Sequence, residues 1–424
     1  MTPEIKQRIE QIRRGEVPEG YVKKRKVVSP QQWGLPQIKD IASISSGSTP
    51  NRNNSEYWNG NIAWVTTGEL SSGHVNHTSE LITVKAVKET KMRIYPQGTL
   101  LMAMYGQGKT RGTVAILEID AAVNQACAAI TVKDGKSKFL FYQLKNSYQD
   151  IRKLSNTGNQ ENLNADIIKT YQVPWAPDEE QERISTILTT QDKVIELKEK
   201  RLAEKQRQKK YLMQQLLTGK KRLPGFSGEW KNIKLCEVLS ERKEKNVEQN
   251  LRICSVAVQK GVVDQVEHLG RSYAANDTSN YSVAHYGDII YTKSPTGDFL
   301  YGIVKQNLLQ ETVAVSPLYG VFTPLTFGLG YFLHTYFQSA ICARNYLLPI
   351  VQKGAKNTIN ITNDTFISSK LYLPLDVEEQ KAIADTFIAA DREIELLQQD
   401  IEQEKQKKKA LMQLLLTGIV RVKT

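Results

Sequence analysis

A repeated segment in the two halves of the chain constrains its fold more than any other feature. The octapeptide "LMQQLLTG" at 212–219 returns, 199 residues later, as "LMQLLLTG" at 411–418. At the same offset "EEQ" at 179–181 matches "EEQ" at 378–380, and the segments 179–219 and 378–418 share 17 identities in 41 positions. Repeats at a fixed offset indicate a duplicated structural unit, so the chain is a tandem duplication.

Both repeated segments have the heptad pattern of a long helix with an apolar seam. Neither contains a proline or glycine before its closing Thr-Gly, so each is predicted to run for about 60 Å and to stop at that glycine. The predicted seam positions are polar in several places, where an antiparallel partner helix could pair them. The predicted seam comprises Ile184, Leu188, Gln191, Ile195, Lys198, Leu202, Lys205, Lys209, Leu212 and Leu216, then Ile383, Phe387, Ala390, Ile394, Leu397, Ile401, Glu404, Lys408, Leu411 and Leu415.

A block of different composition precedes each helix. The blocks open at "WGLPQIKDI" and "WKNIKLCEV", where Trp33 matches Trp230, and each contains a strand signature after a glycine, from Gly98 and from Gly287. The predicted organisation is a helical segment at 1–32, a globular block at 33–176, a helix and linker at 177–229, a second block at 230–375 and a last helix at 376–424. The stretch "GSTPNRNNSEYWNGNIAWVTTGEL" at 47–70 has no recognisable counterpart in the second block.

Composition and charge limit the range of functions that the chain can have. The formal net charge is +12, which favours a polyanionic partner, with nucleic acid ahead of an acidic membrane surface. The four cysteines form no CxxC pair, the N-terminus is too charged for a secretory signal, and no run of 18 apolar residues exists. We therefore expect a cytoplasmic protein that neither spans nor binds a membrane and contains no disulfide framework.

The sequence gives no support for catalysis. "AMYGQGKT" at 103–110 resembles a phosphate-binding loop, but Ala103 replaces its first glycine and the β-branched "RGTVAIL" follows in place of a helix. The two histidines of "HVNH" at 74–77 have no third metal ligand nearby, and no nucleophilic motif is present. We expect no catalytic, cofactor-binding or metal-binding residues in this chain. A nucleotide-binding enzyme using Gly108-Lys109-Thr110 and a purely structural coiled-coil scaffold remain the alternatives.

The whole chain resembles the specificity subunit of a type I restriction–modification enzyme. The resemblance rests on the segment 47–70, the two "EEQ" motifs, the repeated "LMQ-x-LLTG" and the linker "KKRLPGFSGEW" at 220–230. It implies an α+β fold with two tandem target-recognition domains, each followed by a long helix, the two helices pairing as an antiparallel coiled coil in an internal pseudo-twofold repeat. It also implies a non-catalytic role, in which the two domains read the two halves of an asymmetric split sequence in double-stranded DNA.

The resemblance implies partners as well. Two methyltransferase subunits that methylate adenine would dock on the chain, and restriction subunits that translocate and cut DNA would join them. S-adenosylmethionine, ATP and magnesium would then belong to the partner subunits.

Polar loop residues near the strand signatures and before each helix are the candidate DNA contacts, because side chains in turns can reach groove edges and phosphates. In the first block they are Ser48, Thr49, Asn51, Arg52, Tyr105, Gln107, Lys109, Arg111, Asn159 and Gln160; in the second they are Lys293, Ser294, Thr296, Lys353, Lys356 and Asn357.

Overall fold

The chain folds into two compact units, each of which combines segments from both halves of the sequence. The computed structural model describes residues 2–24, 27–106, 108–154, 162–271, 274–353 and 359–422, with only the backbone for residues 352, 353, 359 and 360. Unit 1 comprises residues 1–198 and 400–424, and unit 2 comprises residues 199–399. Both divisions fall inside the long helices, so each unit holds the first half of one helix and the second half of the other.

The elements of unit 1 come mainly from the first block. Its helices are α1 (Pro3–Arg13), α2 (Ile38–Ile41), α3 (Val84–Glu89), α4 (Ser137–Asn146), α5 (Tyr148–Arg152), α6 (Ala165–Thr170) and the first half of α7 (Asp178–Leu216). Its strands are β1 (Tyr21–Lys24), β2 (Val27–Pro30), β3 (Ala42–Ser46), β4 (Trp58–Val65), β5 (His74–Val75), β6 (Glu80–Ile82), β7 (Leu100–Ala103), β8 (Val114–Leu117), β9 (Ala121–Val123) and β10 (Cys127–Val132).

Unit 2 contains the second half of α7 and the elements of the second block. Its strands are β11 (Trp230–Lys234), β12 (Leu239–Glu241), β13 (Arg252–Ala257), β14 (Gly261–Asp264), β15 (Ser282–Ala284), β16 (Ile289–Tyr291), β17 (Val304–Gln306), β18 (Val313–Val315), β19 (Gly320–Pro324), β20 (Gln352–Lys353), β21 (Ile359–Asn360) and β22 (Lys370–Pro374). Its helices are α8 (Gln265–Leu269), α9 (Phe327–Tyr336), α10 (Ala340–Leu347), α11 (Asn363–Ser368) and α12 (Val377–Leu415), whose second half belongs to unit 1.

The two units repeat the same sheet topology. The main sheet has the order β3-β10-β7-β8-β5 in unit 1 and β12-β19-β16-β17 in unit 2, with the shared pairs antiparallel. In the second sheet β4 pairs with β6 antiparallel and with β9 parallel, as β13 pairs with β14 and β18. The strand β4 lies in the segment for which the sequence showed no counterpart. The strand β13 nevertheless corresponds to it in the structure, because the two strands have corresponding pairing partners although their side chains differ.

The long helices have the predicted limits. α7 and α12 each contain 39 residues, and both begin and end at positions 199 residues apart. Gly219 and Gly418 follow them with φ angles of +69° and +72°, the left-handed conformation that ends helices at glycine. None of the twenty predicted seam residues is exposed, which confirms the heptad assignment. The short N-terminal helix α1 is confirmed too, with Gly15 at φ +81° beyond its end.

In both units, ion pairs along the seam join segments of α7 and α12 that run antiparallel. In unit 1 Lys198 contacts Asp400 at 2.8 Å and Glu404 at 2.9 Å, and Gln191 donates to Glu404 at 2.6 Å. These hydrogen bonds lower the pKa of the Glu404 carboxyl to about 2. In the same unit Lys408 pairs with Asp192.

The corresponding pairs of unit 2 join Lys205 to Glu393 at 2.9 Å and Lys209 to Asp391. In both units the residue number rises along α7 as it falls along α12. The helix segments therefore pair antiparallel, and the polar seam residues are matched by charge.

A buried carboxylate joins each sheet to its helices. The Trp33 indole N–H donates to Glu180 at 2.9 Å, and the Arg421 guanidinium binds the same carboxylate at 2.7 and 2.9 Å. Glu180 is fully buried. In unit 2 Trp230 donates to Glu379 at 3.1 Å, and Arg222 forms the corresponding bidentate pair.

Arg222 and Arg421 lie in the tails that follow the two long helices. They are 199 residues apart, so they occupy equivalent positions in the two copies of the repeat. Each carboxylate–tryptophan–arginine cluster thus connects the start of a block, the start of one helix and the tail that follows the other helix.

Removing the arginine of a cluster should destabilise its unit. We expect Arg222→Met to lower the stability of unit 2 by about 3 kcal/mol, because a buried carboxylate that loses its charged partner retains its desolvation cost. Arg421→Met should do the same to unit 1. Denaturant unfolding measures the effect, with Lys220→Met as the control, since it removes an equal charge from an exposed position in the same tail. Equal midpoints for Arg222→Met and Lys220→Met would contradict the role of the cluster.

Lys305 in strand β17 should oppose folding of unit 2 at neutral pH. It is only 3% exposed, and burial lowers its pKa from 10.5 to about 8; Lys209 lowers it further, whereas Asp391 raises it. Below pH 8 the folded state holds a buried charge that the unfolded state solvates, and the penalty disappears as the pH rises towards 10.5.

We therefore expect Lys305→Met to stabilise the protein by roughly 3 kcal/mol at pH 7, with the gain shrinking above pH 8. Denaturant unfolding of wild type and variant at pH 7 and pH 9.5 measures it. A gain that does not change with pH would show that packing, not charge, limits stability there.

Candidate nucleic-acid interface

Two loops that carry candidate residues of unit 1 converge at one end of its main sheet. The backbone N–H of Ser48 donates to the Val123 carbonyl at 3.0 Å, and that of Met104 donates to the Ala126 carbonyl at 2.8 Å. The backbone N–H of Leu163, which follows the undescribed range 155–161, donates to the Met104 carbonyl at 3.0 Å. The turn between β9 and β10 therefore lies between the loops that carry Ser48 to Arg52 and Tyr105 to Arg111.

Two tryptophans hold the first of these loops. The Trp64 indole N–H donates to the Ser48 carbonyl at 3.1 Å, and the Trp58 indole N–H donates to the Asn51 carbonyl at 3.2 Å. A Cβ added to Gly47 would lie 1.8 Å from the Val123 carbonyl oxygen, so only glycine fits this close approach. The loop is thus fixed by its backbone, which leaves the exposed side chains of Thr49 and Asn51 to face outward.

The Arg52 side chain is fixed by contacts with two tryptophan rings and one carboxylate. Its guanidinium lies 4.1 Å from the Trp58 ring and 5.0 Å from the Trp64 ring, as cation–π contacts do. It also forms a bidentate pair with Glu80, whose carboxyl pKa is lowered by these hydrogen bonds. The arginine side chain remains 51% exposed. The guanidinium is therefore held in a fixed orientation, as a specific contact with DNA would require. Glu80 neutralises its charge.

The second loop connects β7 to β8 and carries Tyr105 and Lys109, both of which are exposed. Arg111 differs from the prediction of an exposed contact, because only 7% of it is accessible. Its burial weighs against a phosphate contact by its guanidinium and favours a role in supporting the loop. Gln107, in the same loop, lies outside the described residues.

Several other predicted contacts fall outside the described residues. Asn159 and Gln160 belong to the undescribed range 155–161, and Lys356 and Asn357 to the range 354–358. Only the backbone of Lys353 is described, in strand β20, which pairs with β21. These five residues stay predictions.

In unit 2 the Glu241 carboxylate lies near both Lys293 and Asn363, the first residue of α11. The Asn363 amide donates to Glu241 at 2.5 Å. Partial burial lowers the pKa of the Lys293 ammonium, and the negative charge of Glu241 raises it in part. Lys293 has φ +58°, which is uncommon outside glycine and marks a constrained backbone. Ser294 and Thr296 are exposed in the loop that follows.

Gln125 is a candidate that sequence reasoning missed. It is exposed in the β9–β10 turn, between the two loops described above, and its amide oxygen accepts from the Thr49 hydroxyl. The signal was present in "AVNQAC", where two amides interrupt an apolar run, but a single turn gives no reason to prefer it over others.

The described residues contain little that could serve catalysis. A strand, β8, follows Thr110 where a phosphate-binding loop requires a helix. His74 contacts Glu118 at 2.8 Å and His77 contacts Asn76, and no cluster of three metal-ligating side chains occurs among the residues that the structure describes. Burial raises the pKa of the Cys127 thiol to about 12 and of the Cys254 thiol to about 11, so neither is a reactive thiolate. None of the helices in the described ranges combines the length and the apolar composition that a membrane span requires.

Comparison with known proteins places the repeats in a family. The profile of the type I restriction modification DNA specificity domain matches residues 30–206 and again residues 228–406. The MjaIX specificity subunit of a type I restriction enzyme of Methanocaldococcus jannaschii is 34% identical over 177 residues, which is 40% of either chain. The MjaVIII specificity subunit of the same organism is 24% identical over 428 residues, covering 93% of this chain and 94% of the relative.

Solved structures share the fold. The S subunit of a type I restriction–modification system from M. genitalium superposes with a TM-score of 0.58 at 11% identity, covering 93% of this chain and 98% of that one. A chain from a structure of complex assembly and conformational transition in a type I restriction–modification system gives a TM-score of 0.53 at 14% identity, covering 92% and 99%. With two matched domains spanning most of its length, this chain belongs to the type I restriction–modification DNA specificity family.

Proposed function

We propose that this chain is the DNA-recognition subunit of a type I restriction–modification complex, and that each unit reads one half of a split, asymmetric target. The observation that carries the proposal is a repeated scaffold with unlike loops: the sheet order and helix docking recur, whereas the loops at the sheet ends differ. A shared scaffold places two modules on DNA in equivalent ways, and different loops present different side chains to the bases.

The side chains of the loops include groups suited to phosphate contacts and groups suited to base contacts. Exposed lysines such as Lys109 can neutralise phosphates and position the protein, while hydroxyl and amide side chains such as those of Thr49, Asn51 and Gln125 can pair with base edges in the major groove. The net charge of +12 favours association with a polyanion.

The proposal includes partners that carry the chemistry. Two methyltransferase subunits would bind the chain and methylate adenine with S-adenosylmethionine, after moving the base out of the duplex. Restriction subunits using ATP and magnesium would cut unmodified DNA. The scarcity of catalytic groups in the described residues suits a subunit that binds and positions, and a cytoplasmic location agrees with chromosomal DNA as the target.

Mapping methyladenine across the genome with and without this gene tests the function. A split motif that loses its methylation when the gene is deleted would support the proposal. Unchanged methylation at every split motif, or ATP hydrolysis by the purified chain alone, would oppose it and would favour the nucleotide-binding alternative.

Exchange of one unit's recognition block should change half of the target. We expect replacement of residues 33–176 by the first domain of another specificity subunit to alter one half of the methylated motif and to retain the other. Each block carries its own loops on its own sheet, which is the physical reason. The reciprocal exchange of residues 230–375 is the control and should alter the opposite half. A change in both halves from either exchange would contradict independent recognition.

Glu80→Gln should release the charge of Arg52. With a neutral partner the guanidinium gains one uncompensated positive charge, so we expect tighter non-specific DNA binding and a salt dependence steeper by about one counterion. Discrimination at the half-site read by unit 1 should fall, because the bidentate pair no longer fixes the guanidinium.

Glu89→Gln is the matched control, since it changes the charge equally and contacts Tyr57 and Lys85 instead. Binding measured against salt concentration separates the two variants. Identical slopes for both would remove Arg52 from the interface.

A further inference from the structure

Side chains of the short helix α5 donate hydrogen bonds to the backbone of the β7–β8 loop in unit 1. Nothing in the sequence indicated this contact. The Tyr148 hydroxyl donates to the Lys109 carbonyl at 2.6 Å. The Arg152 guanidinium donates to the Arg111 carbonyl and to the Gly108 carbonyl, each at 2.8 Å. One turn of α5 thus binds three carbonyls within the four residues from Gly108 to Arg111.

The two side chains also hold each other. They stand four residues apart on α5, where side chains of one helical face meet, and Arg152 donates to the Tyr148 hydroxyl at 3.0 Å. The guanidinium carbon lies 5.3 Å from the tyrosine ring centroid. Each group therefore restricts the rotamers of the other, which makes the pair a fixed support.

The loop is shaped to receive this support. Gly112 has φ +80°, and a Cβ on it would lie 3.2 Å from Cγ of Arg152 and 3.7 Å from the Tyr148 ring. The helix α5 is itself anchored by Ile151, which is 2% exposed in the core of unit 1. The position of the loop backbone therefore follows from α5, which is fixed to the core.

The loop that α5 fixes carries an exposed lysine, Lys109, and this suggests what the fixed backbone is for. The side chain of Lys109 is exposed, while its own carbonyl is the one that Tyr148 binds and that the Thr113 hydroxyl also binds at 3.0 Å. A lysine on an unsupported loop must lose backbone freedom when it meets a phosphate, and a loop fixed beforehand does not incur that cost.

We propose that Tyr148 and Arg152 are positioning residues for DNA binding, acting through the loop that carries Lys109. This rests on the proposed function, since it assigns Lys109 to the DNA contact. In this proposal they act on DNA only through the loop carbonyls that they bind, so their removal should matter only while Lys109 is present.

The test is a double-mutant cycle on the full chain assembled with its methyltransferase partner. The probe is a duplex carrying the split motif found by methyladenine mapping, with a second duplex in which both half-sites are scrambled. Tyr148→Phe removes only one hydroxyl, and it should weaken binding to the motif about five-fold, the usual worth of a neutral hydrogen bond. In the Lys109→Ala background the same substitution should change the affinity less than two-fold.

Arg152→Lys gives a second variant that keeps the charge but loses the fork that reaches two carbonyls. We expect it to weaken binding to the motif at least as much as Tyr148→Phe, with an unchanged salt slope. Lys153→Met is the charge control: its side chain is 76% exposed and pairs with Asp150 at 3.5 Å, so it should leave discrimination between the two duplexes intact. Thermal melting of each assembled variant separates loss of positioning from loss of folding.

The outcomes distinguish failure of the proposed function from failure of the positioning role. A wild-type complex that binds both duplexes equally would overturn the proposed function and this inference with it. Specific binding by the wild type, together with equal effects of Tyr148→Phe in the presence and absence of Lys109, would overturn the inference alone. So would a Tyr148→Phe affinity that matches the wild type.

Discussion

The buried carboxylates Glu180 and Glu379 hold the architecture together, because each is the point at which three distant segments meet. Each is the third residue of its long helix, where the helix dipole favours negative charge. A tryptophan that opens the block and an arginine from the tail beyond the other helix complete its hydrogen bonds. An unpaired carboxylate at that depth would be costly, so the three elements of each unit are fixed relative to one another. The repeated sequence elements are the participants in this cluster.

The charge sequence of the helices selects their direction. In a parallel pair in register Lys209 would face Lys408 and Asp192 would face Asp391, because these residues are related by the 199-residue repeat. The antiparallel pairing places each lysine on the aspartate of the other copy instead. A hydroxyl then completes each pair, since Tyr142 donates to Asp192 at 2.7 Å and Tyr331 donates to Asp391 at 3.0 Å. Like charges in the seam would oppose the parallel form, so the sequence specifies orientation as well as helicity.

How far the sequence predicts the structure depends on whether the cause is local. The helix limits followed from periodicity and a terminal glycine, which act within a few residues, and the strands β7 and β16 followed from apolar runs after glycines. The shared position of β4 and β13 could not be predicted, because it lies in their pairing partners and not in their residues. The burial of Arg111 was unpredictable for the same reason, since it depends on the tertiary packing of the loop.

The two units fix their corresponding loops by different means. In unit 1 the carbonyls of the loop are bound by α5, from a separate segment, whereas in unit 2 the loop pairs Thr296 with Phe299 and Tyr291 binds the Tyr301 carbonyl at 2.6 Å. A loop needs partners for its carbonyls, but any donor in reach can supply them. The contacts that stabilise the scaffold are therefore separate from those that shape the loops. A duplicated chain can thus retain one fold while its two loop sets diverge, as the proposed recognition of two different half-sites requires.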